Sequence, residues 1–484
     1  MVRVRYAPSP TGLQHIGSVR TALFDYLFSR SQGGAFVLRI EDTDRERYDE
    51  KSLQDIYDTF DWLGIHWDEG PDVGGPYGPY IQSERTAIYA EYAHALIESG
   101  RAYYAYDSVE ELRTEREASE GKFGYDRKFR DMPEPELARY RDRGERPVVR
   151  FRVPLDGRTA VDDAVFGEVS WDNRDIIADP VLLKSDGMPT YHLAAVVDDH
   201  LMEITHIMRG PEWLPSTPLH VLIYEALGWT PPLFCHLPLV VGEDGKKLSK
   251  RHGATRVLEF RERGYLHEAL LNYLARVGWS YDDKQEIFSR TELERIFSLD
   301  KINRAPAVFD YKKLEWLNGH YIRERPADDL SAAILPFLQD AGLVSDPPQP
   351  PELEIVGAAV PLIQERLKYL SDAPDLMRFL FEEPTEIDPA EMVPKKLDRA
   401  QTASMLEHVA PLVRRIPVLS DEENEALFRA KAEELGTKLG NLLMPLRVAV
   451  TGSRISPPLF GSIRLVGADR AERRVMSALE LLKE

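Results

Sequence analysis

Arg3-Val4-Arg5-Tyr6-Ala7-Pro8-Ser9-Pro10-Thr11-Gly12-Leu13-Gln14-His15-Ile16-Gly17-Ser18 sets how the chain begins to fold. Val2, Val4 and Tyr6 alternate with Arg3 and Arg5, the period of a strand. Pro8, Pro10 and Gly12 then forbid regular structure, because proline fixes φ and lacks a donor. Past the loop, Val19, Ala22, Leu23, Tyr26 and Leu27 recur at helical spacing. Gly33-Gly34 stop that helix, and Ala35-Phe36-Val37-Leu38-Arg39-Ile40 reads as a buried strand. Leu53, Ile56, Tyr57, Phe60 and Leu63 mark a second helix. A strand–helix–strand unit of this length predicts a parallel pair with a right-handed crossover. Ligands of such sheets bind at the carboxyl ends of the strands. Those ends are Tyr6 to Gly12 and Glu41 to Asp44.

Outward from this unit the pattern changes twice. From about Gln82 to Asp186 come a helix, a charged stretch and short strands around Val148–Val153 and Val165–Trp171, which reads as an insertion. The α/β character then resumes, with strands expected at Val196-Val197 and Ile204–Met208 and a helix at Leu219–Leu227. After about Arg325 only helical runs remain, at Leu330–Ala341, Leu353–Leu370, Ser420–Leu435 and Ala471–Leu482. Ser420 and Glu423 have capping-box spacing. Asp346-Pro347-Pro348-Gln349-Pro350-Pro351 reads as a connector.

The 484 residues predict about three domains, and 43% apolar with 29% charged residues fits a globular chain. Lys and Arg number 61 against 81 Asp and Glu, a formal net charge of −20. That excludes a broadly cationic surface, though not a local basic groove. The single Cys235 allows no intrachain disulfide and no cysteine-built zinc site, and reads as a small buried residue. Met1–Tyr6 already alternates like a strand rather than a leader, and no window approaches ~18 apolar residues. A cytoplasmic protein without a membrane span is expected.

Two strings carry chemistry. His15-Ile16-Gly17-Ser18 opens a helix, whose free N–H groups and positive dipole end suit phosphate. Gly17 would let a nucleotide approach the backbone. Alone, a histidine there is more often a cap. Lys247-Leu248-Ser249-Lys250-Arg251 follows Gly242-Glu243-Asp244-Gly245, and a cationic, glycine-hinged loop suits a clamp on polyphosphate. Alone, a charge run is more often a solvated loop. The glycine spacing excludes a Walker A loop.

In combination these strings resemble the HIGH and KMSKS signatures of class I aminoacyl-tRNA synthetases. Further strings narrow the resemblance: Arg5-Tyr6-Ala7-Pro8-Ser9-Pro10-Thr11-Gly12, Arg39-Ile40-Glu41-Asp42-Thr43-Asp44, Thr190-Tyr191-His192-Leu193-Ala194, Val197-Asp198-Asp199-His200 and Gly210-Pro211-Glu212-Trp213-Leu214. Together they look like the bacterial glutamyl-tRNA synthetase family, along essentially the whole chain. The resemblance implies an α/β Rossmann-like catalytic domain with a mixed α+β insertion, followed by an all-α C-terminal anticodon-binding region. It divides the chain into a split catalytic domain (1–81 and 187–245), an inserted acceptor-end-binding domain (82–186) and a stem-contact domain carrying KLSKR (246–325). Two helical anticodon-binding domains follow, 326–380 and 381–484.

The resemblance also implies an activity and a site. Glutamate would be activated with ATP and Mg²⁺ to the adenylate, then passed to the terminal adenosine of tRNA(Glu). A monomer is expected. His15, Lys247 and Lys250 would be catalytic. His15, Gly17, Ser18, Glu212, Trp213, Leu248 and Lys250 would hold ATP. Arg5, Ser9, Glu41, Tyr191 and Arg209 would hold glutamate; Glu41 only accepts hydrogen bonds and suits an ammonium, while the arginines only donate and suit carboxylates. Arg366 would meet the third anticodon base and select tRNA(Glu) over tRNA(Gln). Arg141, Arg143, Arg146, Arg150 and Arg152 in the insertion are candidates for the acceptor end, and Arg414, Arg415, Arg447, Arg454, Arg464, Arg470, Arg473 and Arg474 for the helical end.

Departures from the family pattern are Ser18 at the fourth signature position and Ala195 where asparagine is frequent. At the positions where some relatives hold zinc, Tyr104–Asp107 and Arg127–Asp131 have no cysteine, so no zinc is expected. Alternatives are a non-discriminating enzyme, a glutaminyl-tRNA synthetase, which carries β-barrels in place of the terminal helices, a nucleotidyltransferase of the same superfamily, or a tRNA-binding protein without catalysis.

Overall fold

A computed structural model describes residues 1–107, 111, 125–282, 284–384 and 387–484. Much of the charged stretch within the insertion lies outside the described residues. The described chain forms two compact units, Met1–Glu259 with Leu270–Asp310, and Phe260–Ala269 with Tyr311–Glu484.

In the first unit, β1 (Arg3–Tyr6) and β2 (Ala35–Leu38) pair in parallel, Arg3 opposite Ala35, across α1 (Ile16–Ser31). The parallel pairing is as the sequence predicts. The helix α1 is buried around most of its circumference, Phe24 and Phe28 on one side and Tyr26 and Leu27 on the other, so it carries little amphipathic signal. The following α2 (Glu50–Leu63) is capped by Asp49 and stopped by Gly64 at φ 64°, the left-handed conformation that glycine adopts without strain.

The insertion opens with α3 (Thr86–Glu98) and an antiparallel sheet of β3 (Ala102–Ala105), β4 (Val148–Phe151) and a later strand, Val181–Leu183. Between them β5 (Arg158–Asp163) and β6 (Gly167–Asp172) form a hairpin. The polar β5 was not foreseen, because Arg158-Thr159-Ala160-Val161-Asp162-Asp163 has no apolar run. Continuing the strand numbering, Val181–Leu183 is β7, and β8 (His206–Arg209) and β9 (Leu233–His236) follow. The sheet order is β6-β5-β9-β8, with β8 and β9 parallel. Thr205, just before β8, donates to Arg3 O at 2.9 Å and ties this sheet to β1.

One strand expectation is corrected. Val196-Val197 lies inside the helix Tyr191–Leu201, not in a strand. The helix buries Leu193 through Asp199 without interruption, so its sequence shows a β-branched apolar run and no helical period.

The second unit is helical throughout, around a core including Leu330, Val360, Leu406, Leu446 and Val475. Ser420 and Glu423 form the expected capping box. The run expected as one helix over Leu353–Leu370 ends at Ile363 and continues as a 3₁₀ turn, Gln364–Arg366. The Gln364 amide explains the break: it donates to the carbonyls of Ile322, Arg323 and Arg325.

Candidate active site

The carboxyl ends of β1 and β8, with the loop after β9, open onto a cavity of about 660 Å³ within the first unit. That lies in the range of ~300–1,000 Å³ usual for small-molecule sites. Its lining includes Arg5, Ser9, His15, Gly17, Ser18, Glu41, Tyr191, Arg209, Glu212, Trp213, Lys247, Leu248 and Lys250. Every residue that the sequence assigns to ATP, glutamate or catalysis is therefore gathered in one place. Arg366 belongs to the second unit.

His15 is the N-cap of α1. Its Nδ1 accepts from Ser18 N–H at 3.2 Å, and its own N–H donates to Ser18 Oγ at 3.2 Å. Nδ1 is thus occupied as an acceptor, so the ring proton sits on Nε2. Crowding by protein atoms, and then Lys247, push the imidazole below its usual pKa, leaving it neutral at pH 7. The Ser18 hydroxyl is spent on this cap, donating to His15 O at 2.8 Å. Ser18 is accordingly a cap residue first, whatever else it touches.

The two signature strings are stitched together at their bases. Ile16 N donates to Thr255 O at 2.9 Å and Val257 N to Gln14 O at 3.0 Å. Between these anchors and β10 (Val240–Val241) lies the lysine loop. Gly242 and Lys246 close a turn at 2.9 Å, with Gly245 at φ 72°. Asp244 holds the loop from inside, accepting from Lys246 N at 3.0 Å, Arg251 at 3.2 Å and His252 Nε2 at 3.1 Å. The Arg251 charge is therefore already paired. Lys247 and Lys250 are exposed and enter none of the ion pairs among the described residues.

Beneath the cavity runs a buried ionic network. Arg39 bonds Glu41 at 3.0 Å and Asp199 at 2.7 Å, Arg5 bonds Asp199 at 3.0 Å, and Arg85 bonds Asp198 at 2.7 Å. Arg39 holds Glu41 through one carboxylate oxygen only, and burial raises the Glu41 pKa despite Arg39 and Arg5. Arg209 differs from the other three. It donates to His236 Nε2 at 3.0 Å, Thr217 Oγ1 at 2.8 Å, Tyr191 OH at 3.2 Å, His220 Nδ1 at 3.3 Å and Trp213 O at 3.4 Å, all neutral acceptors. No carboxylate among the described residues contacts it, and burial lowers its pKa. Arg5, Arg39 and Arg85 thus each sit against a carboxylate of Glu41, Asp198 or Asp199. Arg209 instead faces the cavity with no carboxylate in contact among the described residues.

The family model described as tRNA synthetases class I (E and Q), catalytic domain, matches residues 1–316, and one described as an anticodon binding domain matches 329–479. The chain belongs to the class I tRNA synthetase family. Similar relatives include a glutamate–tRNA ligase of Treponema denticola, 49% identical over 99% of each chain, and one of Borreliella burgdorferi, 50% identical over 99% of each. Among solved structures, a glutamate tRNA ligase from Elizabethkingia meningosepticum in complex with its amino acid superposes with a TM-score of 0.86, at 35% identity over 99% of both chains. The fold of this synthetase is thus a catalytic α/β unit followed by a helical one.

Two of the candidate RNA-facing arginines are buried, and others are paired at the surface. Arg150 is buried, stacked 3.6 Å from the Tyr125 ring and 3.4 Å from Asp107. Arg474 is buried and donates to three carbonyls and to Glu383. Arg141, Arg143 and Arg152 pair with Glu134, Glu145 and Asp131. Arg414, Arg454, Arg464 and Arg470 pair with Glu472, Glu391, Asp421 and Glu383. Arg366 is exposed, and no ion pair among the described residues holds it. At Tyr104–Asp107 and Arg127–Asp131 the side chains form an aromatic cluster of Tyr106, Phe129 and Tyr140 with the pair Lys128–Asp107. That donor set does not fit zinc. Sequence reasoning missed Asp163, His192, His220 and His236, which wall the Arg209 cage. The string Thr190–Ala194 passed through His192 without giving it a task.

Proposed function

We propose that the chain is a glutamate–tRNA ligase that forms glutamyl-adenylate from L-glutamate and ATP, then esterifies the 3′-terminal adenosine of tRNA(Glu). The observation that carries this is the buried Arg209 guanidinium, which lines the cavity with no carboxylate in contact among the described residues. The side-chain carboxylate of L-glutamate supplies the missing contact anion, and the neutral amide of glutamine does not. A donor-only guanidinium also turns away the amide NH₂ of glutamine. The free oxygen of Glu41 suits the substrate ammonium, and Arg5 presents a second guanidinium to the same cavity.

The neutral His15 donates from Nε2 to a phosphate oxygen of ATP. The α-carboxylate attacks the α-phosphorus and pyrophosphate leaves; Lys247 and Lys250 follow the charge moving onto the leaving group. No covalent enzyme intermediate is needed, and the rate comes from positioning and charge stabilisation. Among the described residues no group of three or more His, Cys, Asp or Glu is set to hold a metal ion. Mg²⁺ is held largely by phosphate oxygens and water with one or two carboxylates at most, so magnesium would enter as part of the ATP complex.

Discrimination between tRNAs falls to Arg366. Its exposed guanidinium stands near Arg447, whose pKa is lowered by burial and then by Arg366. An unpaired cytosine shows acceptors at O2 and N3 to such a donor, whereas guanine shows donors. The helical second unit supports the glutamate enzyme over the barrel-bearing glutamine one. Aminoacylation of purified tRNA(Glu) and tRNA(Gln) with glutamate, then with glutamine, tests the reading. Efficient use of glutamine, or no amino-acid-dependent pyrophosphate exchange even with tRNA present, overturns it.

A further inference from the structure

Arg209 holds its place through hydrogen bonds and a contact over the Phe234 ring, with no ion pair among the described residues, so something must fix the direction of its acceptors. The Arg209 Nε–H donates to His236 Nε2 at 3.0 Å. Arginine cannot accept, so Nε2 must be unprotonated and the ring hydrogen must sit on Nδ1. Nδ1 lies 2.6 Å from Asp163 Oδ2. Asp163 is itself immobilised. Oδ2 also accepts from His236 N at 3.0 Å, and Oδ1 from Val165 N and Phe166 N, both at 2.9 Å. Asp163 and His236 are 2% and 0% exposed. They stand on β5 and β9, adjacent strands of one sheet. Burial raises the Asp163 carboxyl, but the His236 bond and the two amides outweigh it and hold the group below its usual range, so it stays ionised.

We propose that Asp163 and His236 are positioning residues for substrate choice, a carboxylate–imidazole relay that fixes the His236 tautomer and thereby aims the Arg209 guanidinium at the substrate carboxylate. The chain of bonds runs Asp163 to His236 to Arg209 to substrate. It places the nearest negative charge one imidazole away from Arg209. A carboxylate in direct contact would neutralise Arg209 and compete with the substrate; a relayed one orients it and leaves its charge available. This inference rests on the reading of Arg209 as the carboxylate seat.

The test uses the full chain, with aminoacylation of tRNA(Glu) assayed at varied glutamate and ATP. In Asp163→Asn the carboxamide cannot accept at both of its ends, which favours the other tautomer and sets an imidazole N–H against Arg209 Nε–H. His236→Leu removes the acceptor at similar volume, and His236→Gln restores an amide oxygen for Arg209 with an N–H for Asp163. We expect Asp163→Asn and His236→Leu to raise KM for glutamate about 10- to 100-fold. Their glutamate-to-glutamine preference should shrink, with KM for ATP within about 3-fold of the parent, and His236→Gln should recover most of the loss. Wild-type glutamate KM and preference in folded Asp163→Asn and His236→Leu overturn the relay. If those two variants do not fold, His236→Gln decides: near-parental KM and preference support it, and a loss like that of Arg209→Ala overturns it. Arg209→Ala with unchanged glutamate KM would instead sink the underlying carboxylate-seat reading.

Discussion

Replacing Gly17 by alanine separates what the fold needs from what the reaction needs. A Cβ built on Gly17 meets His15 Cε1 at 3.1 Å and Nδ1 at 3.2 Å, where ordinary contact is 3.4–4 Å. The ring must retreat by a few tenths of an ångström, yet Ser18 N–H holds its Nδ1 at 3.2 Å. The retreat loosens that bond and shifts Nε2, the atom that meets phosphate. Gly17 is the second residue of α1, with no positive φ to protect. Alanine in a helix interior gains up to ~1 kcal/mol over glycine, and less in the first turn. Folding stability should therefore be unchanged or slightly raised. A misplacement of ~1 Å at a catalytic group costs about 100-fold. For half that shift, plus a methyl where the nucleotide approaches, kcat/KM for ATP should fall roughly 10- to 100-fold, about 1.4–2.7 kcal/mol of transition-state stabilisation. Pyrophosphate exchange at saturating glutamate measures it, alongside a thermal melt. Parental kcat/KM for ATP in a folded Gly17→Ala protein would refute the role given to this helix start.

Lys250→Ala should slow adenylate formation about 100-fold or more while leaving glutamate affinity unchanged, as rapid-quench kinetics and equilibrium binding can show. Arg366→Gln should raise glutamylation of tRNA(Gln) relative to tRNA(Glu) by roughly 5- to 150-fold; an unchanged ratio removes the residue from tRNA choice. His192 is pushed down to about 4 by burial and then by Arg209. The unfolded chain then binds the proton first, so the stabilising contribution is complete above pH ~6.5 and is lost as pH falls toward 4. Melting temperature should drop across that window, and less steeply in His192→Gln; parallel profiles would count against it.

The catalytic frame was legible because its residues are local in sequence. The loop between β1 and α1 is written in two prolines and a glycine, and the HIGS and KLSKR strings each sit within five residues. What stayed hidden depends on neighbours far along the chain. Asp163 and His236 are 73 residues apart and meet only because β5 and β9 pair. No local pattern marks a histidine that accepts from an arginine. Val196-Val197 misled because a helix buried on all sides loses its period. The arginines misled in the opposite sense, since charge is legible in sequence but pairing is not. Arg150 and Arg474 look as available for RNA as Arg366 does, until Asp107 and Glu383 are seen beside them.

The buried ionic network also constrains the order of assembly during synthesis. Arg39 waits for Asp199, 160 residues later, and Arg85 for Asp198, 113 residues later. At ~5–20 residues per second, roughly 8–30 s separate the emergence of Arg39, which until then has only Glu41 within reach, from that of Asp199. Until Asp199 emerges, Arg5 lacks its carboxylate and Arg39 has only Glu41, and a guanidinium without its full set of partners is costly to bury, so closing β1 and β2 over them is disfavoured in the interval. The nascent insertion, by contrast, carries its own pairs, such as Arg130 with Asp179 at 2.7 Å. The segment inserted in the middle of the catalytic unit is therefore able to settle before the unit that encloses it, and the active-site floor is sealed only once the helix bearing Asp198 and Asp199 has left the ribosome.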